Sequence, residues 1–253
     1  MSQLVALFGA TLLTGCDKPA TPAPSPAKTS SQAPRPPAGP ERLIVAFGDS
    51  LYAGYGLKPG ESWPSGIEKA LWARGINAKV VNAGVSGDTT AAAHARLAFV
   101  LDAQPRTPDL VAVGLGGNDM LRGLAPADAR ANIDAILTEL DKRNIPVLLT
   151  GMLAAPNLGA EYARDFNAMF PALVTGMLAA PNMGADYARD FNAIFPAMAK
   201  KHGAALVPFF LQPVLGKPEL IQPDHVHPTA KGIALIVADT VDDVEKALPA
   251  KVG

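Results

Sequence analysis

The chain has 253 residues, 49% hydrophobic and 18% charged, which is enough apolar sequence for one globular domain with a substantial core. A formal net charge of -1 provides no broad positive field and argues against nucleic acid as a partner. With one cysteine in the chain, no intramolecular disulfide can form.

In chain order, an apolar run from Leu4 to Leu13 is too short to span a bilayer but fits the hydrophobic region of a signal peptide. It leads into Leu13-Thr14-Gly15-Cys16, which resembles the cleavage site of bacterial lipoproteins, where the cysteine becomes the lipidated N-terminus. Residues 1–15 are therefore read as a lipoprotein-type signal and Cys16 as the lipidation site. Met1-Ser2-Gln3 lacks the basic residues that usually open a signal, so an ordinary secretory signal is the alternative. Residues 16–41 are dominated by Pro, Ala, Ser and Thr without apolar periodicity, the composition of a semi-extended tether. Together these features imply the periplasmic side of a bacterial cell envelope, and in the lipoprotein pattern Asp17 directly after Cys16 favours anchoring at the inner membrane.

From residue 42 onward, short apolar runs alternate with helical stretches, the pattern of an α/β protein with a parallel sheet covered on both faces. Strands are expected at Leu43–Phe47, Lys79–Asn82, Leu110–Leu115, Pro146–Thr150 and Ala205–Phe209. Helices are expected near Trp63–Arg74, Thr89–Asp102, Pro126–Arg143, Asp186–Lys201 and Thr229–Leu248. A tandem duplication interrupts this alternation. Residues 150–173 recur at 175–198, and 20 of 24 positions are identical. Two copies are too few for a repeat architecture. In copy one Tyr162, Phe166, Met169 and Phe170 fall at helical spacing, with Pro171 placed to end or bend that helix.

The residues that bear chemistry fall at the ends of the expected strands, where active sites of such sheets lie. Ser50, in Gly48-Asp49-Ser50-Leu51, follows the first strand; the tripeptide alone is also a common turn or helix-cap sequence. The second strand leads to Gly84, which offers a backbone N–H, and the third leads to Asn118-Asp119, which offers an amide. Near the C-terminus Asp224 and His227 stand three residues apart. His225 and His227 also form a His-x-His pair, a metal-ligand spacing that no further ligand cluster accompanies.

As an ordered set, Gly-Asp-Ser-Leu at 48–51, Gly84, Gly-Gly-Asn-Asp at 116–119 and Asp224-x-x-His227 resemble the blocks of the SGNH (GDSL) hydrolases. The sequences around Ser50 and Asn118 are most similar to bacterial arylesterases and acyl-CoA thioesterase/lysophospholipases. The resemblance implies one hydrolase domain over residues 42–253, a flavodoxin-like three-layer α/β/α sandwich with a five-stranded parallel sheet. It implies Ser50, Asp224 and His227 as catalytic triad, Ser50, Gly84 and Asn118 as oxyanion hole, and no metal or cofactor. The expected activity is hydrolysis of carboxylic esters or thioesters of small molecules. A carbohydrate O-deacetylase would use the same triad, and a non-catalytic envelope binding protein would keep the fold.

Overall fold

A computed structural model of the chain describes residues 35–154 and 184–250. Its elements in order are β1 (Arg42–Gly48), α1 (Ser50–Ala53), α2 (Trp63–Ala73), β2 (Ala78–Gly84), α3 (Thr90–Asp102), β3 (Leu110–Gly114), α4 (Gly117–Leu121), α5 (Pro126–Lys142), β4 (Val147–Thr150), α6 (Gly184–Asn192), α7 (Ile194–His202), β5 (Ala205–Val207) and α8 (Ala230–Ala247). The sheet is wholly parallel, in the order β2-β1-β3-β4-β5. Every residue of β1 is buried, as expected of a central strand with helices on both faces. On one face α2 packs against α8, and on the other α5 packs against α3, α6 and α7.

Helical spacing of apolar residues explains these layers. Trp63, Ile67 and Leu71 of α2, Ala93, Leu97 and Leu101 of α3, and Ile133, Ile136, Leu137 and Leu140 of α5 are all buried. Each buried leucine or isoleucine among them contributes about 1.5–3 kcal/mol by leaving water. Truncating Ile133, which is fully buried, to Ala would cost about 2–5 kcal/mol. Thr89 and Thr229 cap α3 and α8 through their hydroxyls, so both helices begin one residue later than the sequence reading.

Two departures from that reading have clear causes. The expected helix 186–201 is two helices, α6 and α7, interrupted at Ala193. Pro196 has no N–H to give the Asn192 carbonyl four residues back, and its ring would crowd that carbonyl. The fifth strand stops at Val207 rather than Phe209, directly before Pro208. The duplication is used in pieces. Thr150 of copy one closes β4, and Gly151 N–H bonds the Val207 carbonyl (2.8 Å). Ala154, fully buried, donates its N–H to Asn192 Oδ1 of copy two (2.7 Å). Among the described residues, the beginning of copy one thus meets the end of copy two. Cys16, the signal, most of the tether and the stripe from Tyr162 to Phe170 lie outside the described residues.

Candidate active site

The strand order reverses direction between β1 and β3, and both strands deliver residues to the same carboxyl edge, where doubly wound sheets leave a crevice. At the end of β1 the backbone turns sharply. A Cβ on Gly48 would stand 2.7 Å from the Tyr52 ring and 2.8 Å from the Gly114 carbonyl, so only glycine fits. Asp49 then caps α1, accepting Leu51 N–H at 3.0 Å. Ser50 is the first residue of α1, and its own N–H has no acceptor among the described residues.

A loop preceding α8 brings the other partners. His227 Nε2 lies 2.7 Å from Ser50 Oγ, and His227 Nδ1 lies 2.7 Å from Asp224 Oδ2. The second carboxylate oxygen of Asp224 accepts the N–H groups of Val226 and His227 at 2.9 and 3.0 Å. Burial alone would raise the Asp224 carboxyl, but these backbone donors and the His227 ring together hold it below the usual carboxylate range. An ionised carboxylate only accepts, so Nδ1 must carry the ring proton and Nε2 faces the serine hydroxyl as an acceptor. Ser50, His227 and Asp224, read from two separate motifs, form one hydrogen-bonded chain. With both nitrogens of His227 so engaged, that ring has no nitrogen left to pair with His225 on a metal. His225 takes a left-handed turn conformation (φ 59°), and no cluster of three or more metal-ligating side chains occurs among the described residues.

Asn118, in α4, points its amide toward Asp49 Oδ2 at 3.4 Å, beside Ser50. Asp49 is buried in turn. Desolvation first, and then the negative charges of Asp88 and Asp119, push its carboxyl up to about 7 against the opposing Leu51 N–H. Asp88 is paired with Arg96 at 2.6 Å, and Asp119 accepts the Thr90 N–H and hydroxyl at 2.8 and 2.6 Å.

The expectation for Gly84 is not met. Its N–H donates to Asn82 Oδ1 at 2.9 Å and is not free. Glycine is required there for a different reason, since a Cβ would come within 2.3 Å of Ala53 N where α1 crosses the end of β2. Three residues on, Gly87 (φ 86°) carries an N–H with no acceptor among the described residues. Its carbonyl is held by Arg122 Nη2 at 2.7 Å, which joins this loop to the segment that follows Asn118.

Residues 46–235 match the model of the GDSL-like lipase/acylhydrolase family. The chain belongs to this family. It is 34% identical to Esterase TesA of Pseudomonas aeruginosa over 187 residues, 74% of this chain and 80% of that protein. It is 32% identical to an arylesterase of Vibrio mimicus over 208 residues, 82% and 90% of the two chains. The crystal structure of AlinE4, an SGNH-hydrolase family esterase, superposes with a TM-score of 0.63 at 52% identity, covering 84% of this chain and all of that one.

Two features of this GDSL site were not legible in its motifs. The Tyr55 ring lies against His227 with centroids 4.5 Å apart. Gln222 spans the two loops, donating from Nε2 to the carbonyls of Tyr55 (2.8 Å) and Pro228 (2.9 Å). Nothing in the motifs read from the sequence marked Tyr55 or Gln222.

Proposed function

We propose that the protein is a serine hydrolase that cleaves carboxylic esters of small molecules through an acyl-enzyme intermediate. The observation that carries this is the Asp224–His227–Ser50 chain at 2.7 Å per link on the carboxyl edge of the sheet. Ser50 Oγ attacks the ester carbonyl carbon while His227 Nε2 takes its proton; the carbonyl electron pair moves onto oxygen. As the intermediate collapses, His227 returns the proton to the leaving alcohol. Water repeats the sequence to release the acid. Asp224 holds the tautomer and faces the imidazolium. The oxyanion is met by the N–H of Ser50 and the amide of Asn118, with Gly87 N–H read as the third donor in place of Gly84.

Aryl esters and short to medium acyl esters are the proposed substrates, with thioesters and lysophospholipids as further ones. Relatives named esterase and arylesterase support this. Rates on p-nitrophenyl esters of increasing chain length, set against acetylated sugars, test the reading. Preference for the aryl acyl esters is expected, and faster release of acetate from sugars would favour O-deacetylation instead. For location, we propose the bacterial envelope, with Cys16 lipidated and residues 16–41 as spacer. No helix among the described residues is long and apolar enough to cross a membrane. Detergent partitioning that disappears in Cys16→Ser is the expected sign of the anchor.

A further inference from the structure

We propose that Tyr55 is a positioning residue for the proton-transferring imidazole, seated on it by Gln222. This rests on the reading of Ser50 as nucleophile and His227 as base. Tyr55 follows the left-handed Gly54 that ends α1, and the N–H groups of Gly54 and Tyr55 both bond the Ser50 carbonyl, at 3.1 and 3.2 Å. Its ring inclines at 34° to the His227 ring, with 4.5 Å between centroids. Ser50, His227 and Tyr55 therefore form a closed circuit: hydroxyl to imidazole, imidazole to phenol ring, and phenol backbone back to the serine carbonyl. Gln222 closes a second circuit, because its backbone N–H bonds the His227 carbonyl at 2.7 Å while its side chain holds the Tyr55 carbonyl. The fit is tight: a Cβ on Gly56 would stand 2.1 Å from Gln222 Oε1.

Three neighbours thus surround the His227 ring. Asp224 fixes Nδ1, Ser50 faces Nε2 and Tyr55 covers a face. When Nε2 takes the serine proton the ring becomes a cation, and an aromatic face beside a cation is attractive. Tyr55 consequently restrains the imidazole before the transfer and favours the imidazolium after it, without touching the acyl group.

The test measures kcat and KM on p-nitrophenyl acetate and p-nitrophenyl octanoate for wild type, Tyr55→Ala, Tyr55→Phe and Gln222→Met. Tyr55 is half exposed, so its truncation leaves the core in place. A cation–aromatic contact of ordinary strength corresponds to about a 2- to 30-fold loss of kcat in Tyr55→Ala. We expect the same factor on both esters with KM little changed, the wild-type rate restored by Tyr55→Phe, and a similar loss in Gln222→Met. A small alkyl phosphonate should also label Ser50 more slowly in Tyr55→Ala. A loss that grows with acyl length, or that falls on KM alone, would make Tyr55 a substrate contact and overturn the proposal. Tyr55→Phe as slow as Tyr55→Ala would overturn it as well. Turnover persisting in Ser50→Ala would remove the functional reading and the proposal together, whereas every other outcome leaves that reading standing.

Discussion

Asp49 stands next to Ser50, the proposed nucleophile, and is the least comfortable residue in the site. The residue is 3% exposed, and burial together with its two acidic neighbours pushes its carboxyl up to about 7. In the unfolded chain it would titrate near 3.8, so between roughly pH 4 and pH 7 the folded protein keeps a proton that the unfolded chain has lost. The stability this carboxyl contributes is therefore complete below pH 4 and is lost as pH rises through about 7. Asparagine at this position would still accept the Leu51 N–H through its carbonyl oxygen and would bury no charge, losing only the long 3.4 Å acceptor that Oδ2 offers the Asn118 amide. Thermal unfolding of Asp49→Asn should be less dependent on pH between 4 and 7 than that of wild type, and its Tm should exceed wild type at pH 8. A Tm difference that stays constant with pH would contradict the buried titration. Asn118, whose amide faces Asp49, belongs to the same scale. Asn118→Ala should lower kcat by about 10²- to 10³-fold, the loss expected on removing one oxyanion donor. Raised KM with unchanged kcat would mark it as a binding residue only.

At the scale of elements, α7 is fastened to α5 by a small charged cluster. His202, at the end of α7 with its side chain 6% exposed, meets Asp134 at 2.7 Å through Nε2 and also bonds Asp141; Lys201 meets Asp134 at 2.6 Å. Burial opposes the charged ring, but the two carboxylates outweigh it and raise its pKa above 6.5. Its contribution is thus complete below 6.5 and is lost as pH climbs through the raised value. Chemical denaturation should separate His202→Gln from wild type widely at pH 6 and narrowly at pH 9, and the reverse order would refute the pairing. How much of these elements could be read in advance depended on locality. The apolar runs of β1 and β3 and the three-residue spacing of Asp224 and His227 are local signals, and they led to the right strands and to residues that do meet. The break at Ala193 was legible in principle, since Pro196 is the second copy of Pro171, whose effect was expected. The Tyr55–Gln222 brace was not legible, because its two ends are 167 residues apart and meet only once two loops are closed. Gly84 was misread because a strand-end glycine can serve close packing as readily as a free N–H.

At the scale of the whole molecule, the duplication makes a deletion predictable. Residues 150–157 and 175–182 are identical, so removing Thr150–Val174 joins Leu149 to Thr175 and supplies Ala179 where Ala154 now bonds Asn192. Every contact described for Thr150, Gly151 and Ala154 can be remade by an identical residue, and shortening a connection changes closure entropy little. The deletion variant should fold with a similar Tm and hydrolyse esters; an unfolded product would show that both copies are needed. The central claim, that Ser50 is the nucleophile of an ester hydrolase, is tested most directly by labelling the full chain with an alkyl phosphonate and locating the adduct by peptide mass spectrometry. The predicted result is one phosphonyl group on Ser50, turnover lost in proportion to labelling, and a folded Ser50→Ala that neither labels nor hydrolyses p-nitrophenyl acetate above background. Turnover that survives complete labelling, or a hydrolytically active Ser50→Ala, would contradict it.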